Sequence, residues 1–444
     1  MRKNADLTEG SISGKLILFA FPLMIGNLLQ QFYNIVDNLV VGRYLGENAL
    51  AAVGSAYTLM IFITSVISGL CMGSGVYFSI QFGKKSYYTM KQSYFISFIS
   101  ILAVTVLLNL FAYIFLKQIV SFMNIPNEVI PLFKEYLGII FTGILASFLY
   151  NFFANLLRAS GNSVIPLIFL AVSAIVNVAL DLLFILHFHW GVAGAAAATV
   201  IAQYIAGIGI MLYYFLFCNE LKISRIHIKW SKTVFSEIAG LSAITCIQQS
   251  IMNLGILMVQ GLVNSFGTVV MAAFAAGVKV DTVAYAPVQD FGNAFSTFIA
   301  QNYGAGKRER IRKGVISAGA MVIGFCIAVS CIIYLFADKL MSVFVDGGDE
   351  VIRTGVGYLH IEGICYVGIG ILFLLYGYYR AVKKPMMSVI LTIISLGTRV
   401  VIAYFLSSLS GVGVNGIWLA IPLGWFLADV TGILYGLKKH SVYK

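Results

Sequence analysis

The stretch Leu16–Val41, LILFAFPLMIGNLLQQFYNIVDNLVV, decides how the rest of the chain is read. It is long and apolar enough to cross a bilayer, whose hydrocarbon core takes about 20 helical residues. Polar residues nevertheless run down one side. Asn27, Gln30, Gln31, Asn34, Asp37 and Asn38 recur every three or four positions, so on a helix they form one stripe. A carboxylate in a spanning helix costs at least ~2.5 kcal/mol on insertion scales, and such residues face a bundle interior or a watery cavity on an ion or substrate path. The alternative for Asp37 is a helix end where it meets interfacial water.

The same character extends along the chain. Of 444 residues, 60% are hydrophobic and only 11% charged, which argues against a string of soluble domains. Apolar runs near spanning length recur from end to end, so the fold class is an all-α polytopic membrane protein. The first run carries the polar stripe and has no cleavable signal pattern. About twelve spans are expected, near 16–41, 50–81, 93–116, 135–157, 164–186, 191–217, 234–263, 269–301, 314–336, 355–379, 386–406 and 413–436.

A net charge of +11 would suit a nucleic-acid partner if it formed one patch. Placed on the spans, all the basic residues except Lys279 and Arg399 fall in loops, so no nucleic-acid partner is expected. Arg2, Lys3, Lys15, Lys84, Lys85, Lys91, Arg158, the run Lys222–Lys232, the run Lys307–Lys313, Arg380, Lys383, Lys384 and the tail share one side. The opposite loops hold only Arg43, Lys117, Lys134, Lys339 and Arg353, so both termini are expected in the cytoplasm. The six cysteines lie mostly inside apolar runs without metal-ligand spacing and read as small core residues.

An internal repeat organises the spans. Gly46-Glu-Asn-Ala-Leu-Ala51-Ala52 returns as Gly267-Thr-Val-Val-Met-Ala272-Ala273, and Phe82-Gly83 as Tyr303-Gly304. Tyr136-Leu137 returns as Tyr358-Leu359, Arg158-Ala159 as Arg380-Ala381, and Gly191-Val192-x-Gly194 as Gly413-Val414-x-Gly416. The offset is the same in all five places to within a single position, and it equals half the length of the chain. The chain therefore reads as two six-helix lobes, 1–217 and 234–444, joined by a cytoplasmic linker 218–233. Six is even, so the repeats are parallel and related by a pseudo-two-fold axis along the membrane normal. Repeats of this kind build transporters that alternate access by rocking, with the substrate between the halves.

Buried charges mark where an ion could act. Asp181 in the fifth span follows Asn177 by one helical turn and Ser173 by two, so the three share a face. Thr199 lies in the sixth span after the small-residue run Gly191–Ala198, where helices can pack closely. Asp37, Asn177, Asp181 and Thr199 would offer oxygen ligands or an amide, which suits Na⁺ as the bound metal ion or a shared proton. The alternative for Asn177 and Asp181 is hydrogen bonding between helices. In the second half Lys279, Asp281, Asp290, Glu362 and Arg399 lie in spans, and either a second coupling site or a self-neutralising network fits them. His360 and Glu362 are two apart, so they point apart.

These residues resemble a known family. Pro22-x-x-x-x-Asn27, Gly46–Gly54, Leu157-Arg158-Ala-Ser-Gly161-Asn162, Ala286-Pro287-Val288-Gln289-Asp290-Phe291-Gly292-Asn293 and Gln301-Asn302-Tyr303-Gly304-Ala305-Gly306-Lys307 are similar to the bacterial branch of the multidrug and toxic compound extrusion (MATE) family. The resemblance implies a monomeric antiporter of the bacterial inner membrane. It would export small organic cations and drugs against Na⁺ or H⁺, with lipid as its surroundings and no cofactor beyond the coupling ion. It also implies an N-lobe cation site at Asp37, Asn177, Asp181 and Thr199, with Tyr136, Asn151 and Asn34 as supporting polar residues. Some branches carry an acid in the seventh helix. Here that region reads Cys246-Ile-Gln248-Gln249, leaving Gln248 and Glu362 as the C-lobe residues to consider. Substrate contacts are expected among Tyr33, Tyr57, Met60, Phe153 and Met258, whose rings and thioethers suit flat apolar cations.

Two rivals follow. A lipid-linked oligosaccharide flippase of a related superfamily would need a wide basic cavity, yet most basic residues lie in loops. An enzyme is not expected: there is no GxSxG elbow, no HExxH and no GxGD-like motif, and Gly73-Ser74-Gly75 lacks the required spacing.

Overall fold

The computed structural model describes residues 6–123, 125–345, 348–409 and 411–440, with the side chains of Phe122, Leu254, Ile256, Leu257, Met258, Lys439 and His440 outside that description. The expected substrate contact at Met258 therefore lies outside the described residues, as do terminal residues used in the orientation argument.

The first repeat holds α1 (Ile12–Leu45), α2 (Glu47–Gly83), α3 (Tyr87–Ile114), α4 (Leu116–Phe122), α5 (Ile130–Ile140), α6 (Ile144–Ala159), α7 (Val164–Leu182) and α8 (Gly191–Phe217). The second holds α9 (Lys232–Asn264), α10 (Thr268–Gly304), α11 (Arg308–Ser342), α12 (Asp349–Gly363), α13 (Tyr366–Ala381), α14 (Pro385–Ser407) and α15 (Val414–His440). Among the described residues ten helices are long and apolar enough to span, or eleven when α12 and α13, bent by 51°, count as one. At 33 residues, α9 completes the expected twelve.

The repeat is visible in the backbone. Both α2 and α10 are 37 residues long. Left-handed backbone recurs at the repeat offset: Gly46 and Gly267, Lys85 and Gly306, Gly161 and Lys383, Gly191 and Gly413 all have positive φ. Gly46 and Gly267 each start a long helix after a tight turn, at φ 86° and 97°, a region costly for any residue with a Cβ.

Hydropathy gives no sign that the fourth and tenth spans are broken, and they break at equivalent places. A 3₁₀ turn at Phe141–Gly143 separates α5 from α6, and Ile364–Cys365 separate α12 from α13. A break inside a membrane frees carbonyls that lipid cannot satisfy. Asn109 Nδ2 donates to Phe141 O at 2.8 Å, Tyr204 Oη to Thr142 O at 2.9 Å and Tyr113 Oη to Gly138 O at 2.9 Å. In the second repeat Ser330 Oγ donates to Gly363 O at 2.5 Å. Close helix packing uses small residues. A Cβ on Gly207 of α8 would meet Ala146 O at 2.7 Å.

By contacts the chain divides into two units: Met1–Leu7 with Ile25–Cys246, and Thr8–Met24 with Ile247–Lys444. Helices α1 and α9 thus each change unit partway along. In α1 the change falls between Met24 and Ile25, flanked by Pro22, which lacks an N–H and weakens the ladder there, and by Gly26. The segment expected as a linker lies in the first unit. There Tyr88 Oη donates to Ile226 O at 3.2 Å and Gln92 Nε2 to Lys229 O at 3.0 Å.

Candidate functional site

In the first unit α1, α5, α7 and α8 bring polar side chains together. Asn177 and Asp181 lie one turn apart on α7 and are both buried, Asp181 completely. Asn177 Nδ2 donates to Thr199 Oγ1 of α8 at 3.3 Å. Asp37 of α1 lies within reach of the Asp181 carboxyl, and the Tyr136 ring near the end of α5 faces both. Asp37 Oδ1, Asn177 Oδ1 and both Asp181 oxygens are buried with no hydrogen-bond partner. Buried carboxylate oxygens are costly unless something positive reaches them. Two carboxyls, an amide oxygen and a hydroxyl together form a hard-donor set, suited to Na⁺ or to a proton held between the acids.

Two supporting residues are turned elsewhere. Asn34 Nδ2 points at Tyr57 Oη of α2, 3.5 Å away, and Asn151 Nδ2 donates to Ser147 O of its own helix at 2.9 Å. Tyr33, expected as a substrate contact, faces Asp37, Tyr57 and Tyr150 and so borders the acid pair. Directly after Asp181 the helix widens into a π turn at Leu183–His187, a feature frequent beside functional residues and without a hydropathy signature. Gly73-Ser74-Gly75 is a packing contact. Ser74 Oγ and Ser242 Oγ are 2.9 Å apart, and a Cβ on Gly73 would meet Ser242 Cα at 2.5 Å.

The second unit has its own buried acids. Tyr358 of α12 and Tyr366 of α13 both donate to the Asp281 carboxylate of α10. Glu362, also buried, lies near Asp281, Tyr358 and Arg399 of α14. Gln248 of α9 is buried with its Oε1 unpartnered. Lys279 reaches over the Phe344 ring at 5.8 Å, away from Asp281, and His360 stacks on Tyr334 at 4.4 Å, away from Glu362. The repeat offset exposes a relation that motif reading passes over. Tyr358 stands half a chain length after Tyr136, and Arg399 stands half a chain length after Asn177.

The MatE family model matches residues 22–183 and again 242–405, one match in each repeat. "Probable multidrug resistance protein YpnP" of Bacillus subtilis (strain 168) is 31% identical over 98% of this chain and 96% of its own length. "Probable multidrug resistance protein YoeA" of the same organism is 27% identical over 97% and 94%. A solved outward-facing multidrug resistance transporter of the MATE family is 21% identical and shares the fold, with TM-score 0.94 over 100% of this chain and 99% of that one. With its fold, both repeats and nearly its entire length matched in this way, the chain is an integral membrane protein that belongs to the multidrug and toxic compound extrusion family.

Proposed function

We propose that this protein is an antiporter that exports amphipathic organic cations and drugs against Na⁺ or H⁺, with Asp37, Asn177, Asp181 and Thr199 as the cation site. The observation that carries the reading is the meeting of Asp37 and Asp181, with Asp37 Oδ1 and both Asp181 oxygens buried and unpartnered, beside the Asn177–Thr199 pair. Such a site favours an ion from solution. An ion can drive conformational exchange only through different affinities for the two states. Asp37 rides on α1, the helix that changes unit near Pro22, so ion binding at Asp37 bears on a helix shared between units. The names of the relatives, multidrug resistance proteins, support drugs as cargo. The family match gives no support to the oligosaccharide-flippase reading, and no enzymatic step is assigned. The basic loops favour a bacterial inner-membrane setting with both termini in the cytoplasm, and a single chain carries a whole site.

Efflux of a fluorescent lipophilic cation from vesicles tests this, with Na⁺ and proton gradients imposed separately. One gradient should drive efflux in the unaltered protein. Asp37→Asn and Asp181→Asn should each lower the driven rate by roughly a hundredfold, the upper range of allosteric coupling. Full gradient-driven efflux in both variants at equal expression would sink the proposal.

A further inference from the structure

Between α8 and α9 the chain reads Leu221-Lys-Ile-Ser-Arg225-Ile-His-Ile-Lys229-Trp-Ser-Lys232, with no acid from Leu221 to Ser236. One edge of this segment is pinned to the first unit. Leu221 and His227 are buried. Tyr214 Oη donates to Leu221 O at 2.9 Å, and α3 holds Ile226 O and Lys229 O as described above. His227 Nδ1 accepts from Ser224 N at 3.2 Å, and its ring packs on Tyr88 at 5.2 Å. Burial, then the nearby Lys91 ammonium, holds His227 below the usual imidazole range, which keeps it a neutral acceptor.

The other edge is built differently. Ile226, Ile228 and Trp230 are 61%, 51% and 55% exposed, and they alternate with exposed Arg225, Lys229 and Lys232. None of the three basic side chains is engaged by another described residue. The segment leaves α8 just after Leu216 and Phe217, which are exposed on a spanning helix, so it starts at the bilayer surface. Apolar and indole groups interleaved with cations suit the headgroup layer. The leader of the first repeat offers a contrast. Lys307 Nζ donates to Thr8 O at 2.8 Å, and Arg310 donates to Gly10 O at 2.7 Å and Glu9 O at 3.0 Å. There the basic groups are satisfied by the protein's own carbonyls.

We propose that the exposed edge of residues 225–232 is an anchor for anionic phospholipid headgroups at the membrane face on which it lies, with Arg225, Lys229 and Lys232 on phosphates and Trp230 and the isoleucines among the acyl-chain ends. Charge complementarity carries the choice of partner: a run of unengaged cations with no acid among them, on a segment that begins at the bilayer. The inference stands without the transport reading, because it concerns lipid contact alone.

Tryptophan quenching tests it. The chain has four tryptophans, so the difference between the unaltered protein and Trp230→Phe isolates the signal of Trp230. The protein is placed in vesicles holding brominated phosphatidylglycerol or brominated phosphatidylcholine at the same mole fraction. One basic residue near an anionic surface is worth about fivefold in association, so the Trp230 signal should be quenched at least about threefold more by the anionic lipid. Arg225→Gln/Lys229→Gln/Lys232→Gln should remove the preference without lowering the unfolding temperature, and Lys229→Gln alone should reduce it. Equal quenching by both lipids would overturn the proposal. So would a preference that survives the triple substitution, or no quenching by either lipid, as a linker covered by a soluble protein would give.

Discussion

In the first unit Asp37 and Asp181 meet beside Tyr136, Asn177 and Thr199; in the second, Asp281 and Glu362 meet beside Tyr358, Tyr366 and Arg399. The tyrosines at 136 and 358 occupy the same repeat position, and so do Asn177 and Arg399. At that second shared position a neutral amide stands in one cluster and a guanidinium in the other, while the acids themselves stand at unmatched repeat positions. A guanidinium stays charged in any protein setting. The second pair has its positive charge built in, together with two hydroxyl donors on Asp281. The first pair has neutral neighbours, Tyr136, Asn177 and Thr199, among the described residues, which is why the proposed reading draws its compensation from solution. On the proposed reading, the two repeats thus hold one acid pair that takes an ion from solution and one with a cation from its own fold.

The largest effect is expected from making the second cluster like the first. Arg399→Asn removes the internal cation and leaves two buried carboxyls facing each other. Breaking a buried charge pair costs about 3–5 kcal/mol. Arg399 acts on both acids electrostatically but makes no ion pair with either at contact distance among the described residues, so the loss should not exceed the lower end, about 3 kcal/mol. The unfolding temperature of the purified protein should fall accordingly, and Glu362→Gln in the same chain should recover at least half of the loss. An unchanged unfolding temperature in Arg399→Asn would mean that the second pair is compensated in some other way.

The reverse exchange is nearly as large. Asn177→Arg gives the first cluster the cation that the second already has. A ligand at a hundred times its dissociation constant stabilises the folded state by about 2.7 kcal/mol. The stabilisation conferred by the coupling ion identified in vesicles should vanish in Asn177→Arg, and gradient-driven efflux with it. Persistence of ion-dependent stabilisation would show that the ion binds away from Asn177.

Much of this is legible in the sequence alone. The constant offset of half a chain length gives two parallel repeats, and helical spacing puts Asn177 and Asp181 on one face. The spans can be read because lipid forces long apolar helices. What escapes the sequence depends on distant partners. The breaks at Phe141–Gly143 and Ile364–Cys365 lie inside apolar runs, and hydropathy does not register an interruption whose carbonyls are satisfied by Asn109, Tyr204 or Ser330 on other helices. The passage of α1 and α9 from one unit to the other is likewise a matter of packing. Asn151 shows the limit of polarity as a guide: an amide in a spanning helix can be satisfied one turn back on its own backbone. The match of Arg399 to Asn177 is within reach of the same offset, applied to single polar residues instead of to motifs.

The smallest expected effect tests what the clusters share. Tyr358 sits just before the break of its span and donates to Asp281, and Tyr136 sits just before the equivalent break and faces Asp37 and Asp181. If the guanidinium is the real divide, the same substitution must have different consequences in the two units. A single hydrogen bond is worth about 1 kcal/mol net. Tyr136→Phe should weaken binding of the coupling ion by about fivefold and leave the ion-free unfolding temperature nearly unchanged. Tyr358→Phe should lower the unfolding temperature by an amount equivalent to about 1 kcal/mol and leave ion affinity alone, because Asp281 and Glu362 keep Arg399. Titrating the ion against thermal unfolding reads both quantities on one sample. Equal losses of ion affinity in the two variants would make the second cluster an ion site too and erase the distinction drawn from position 399.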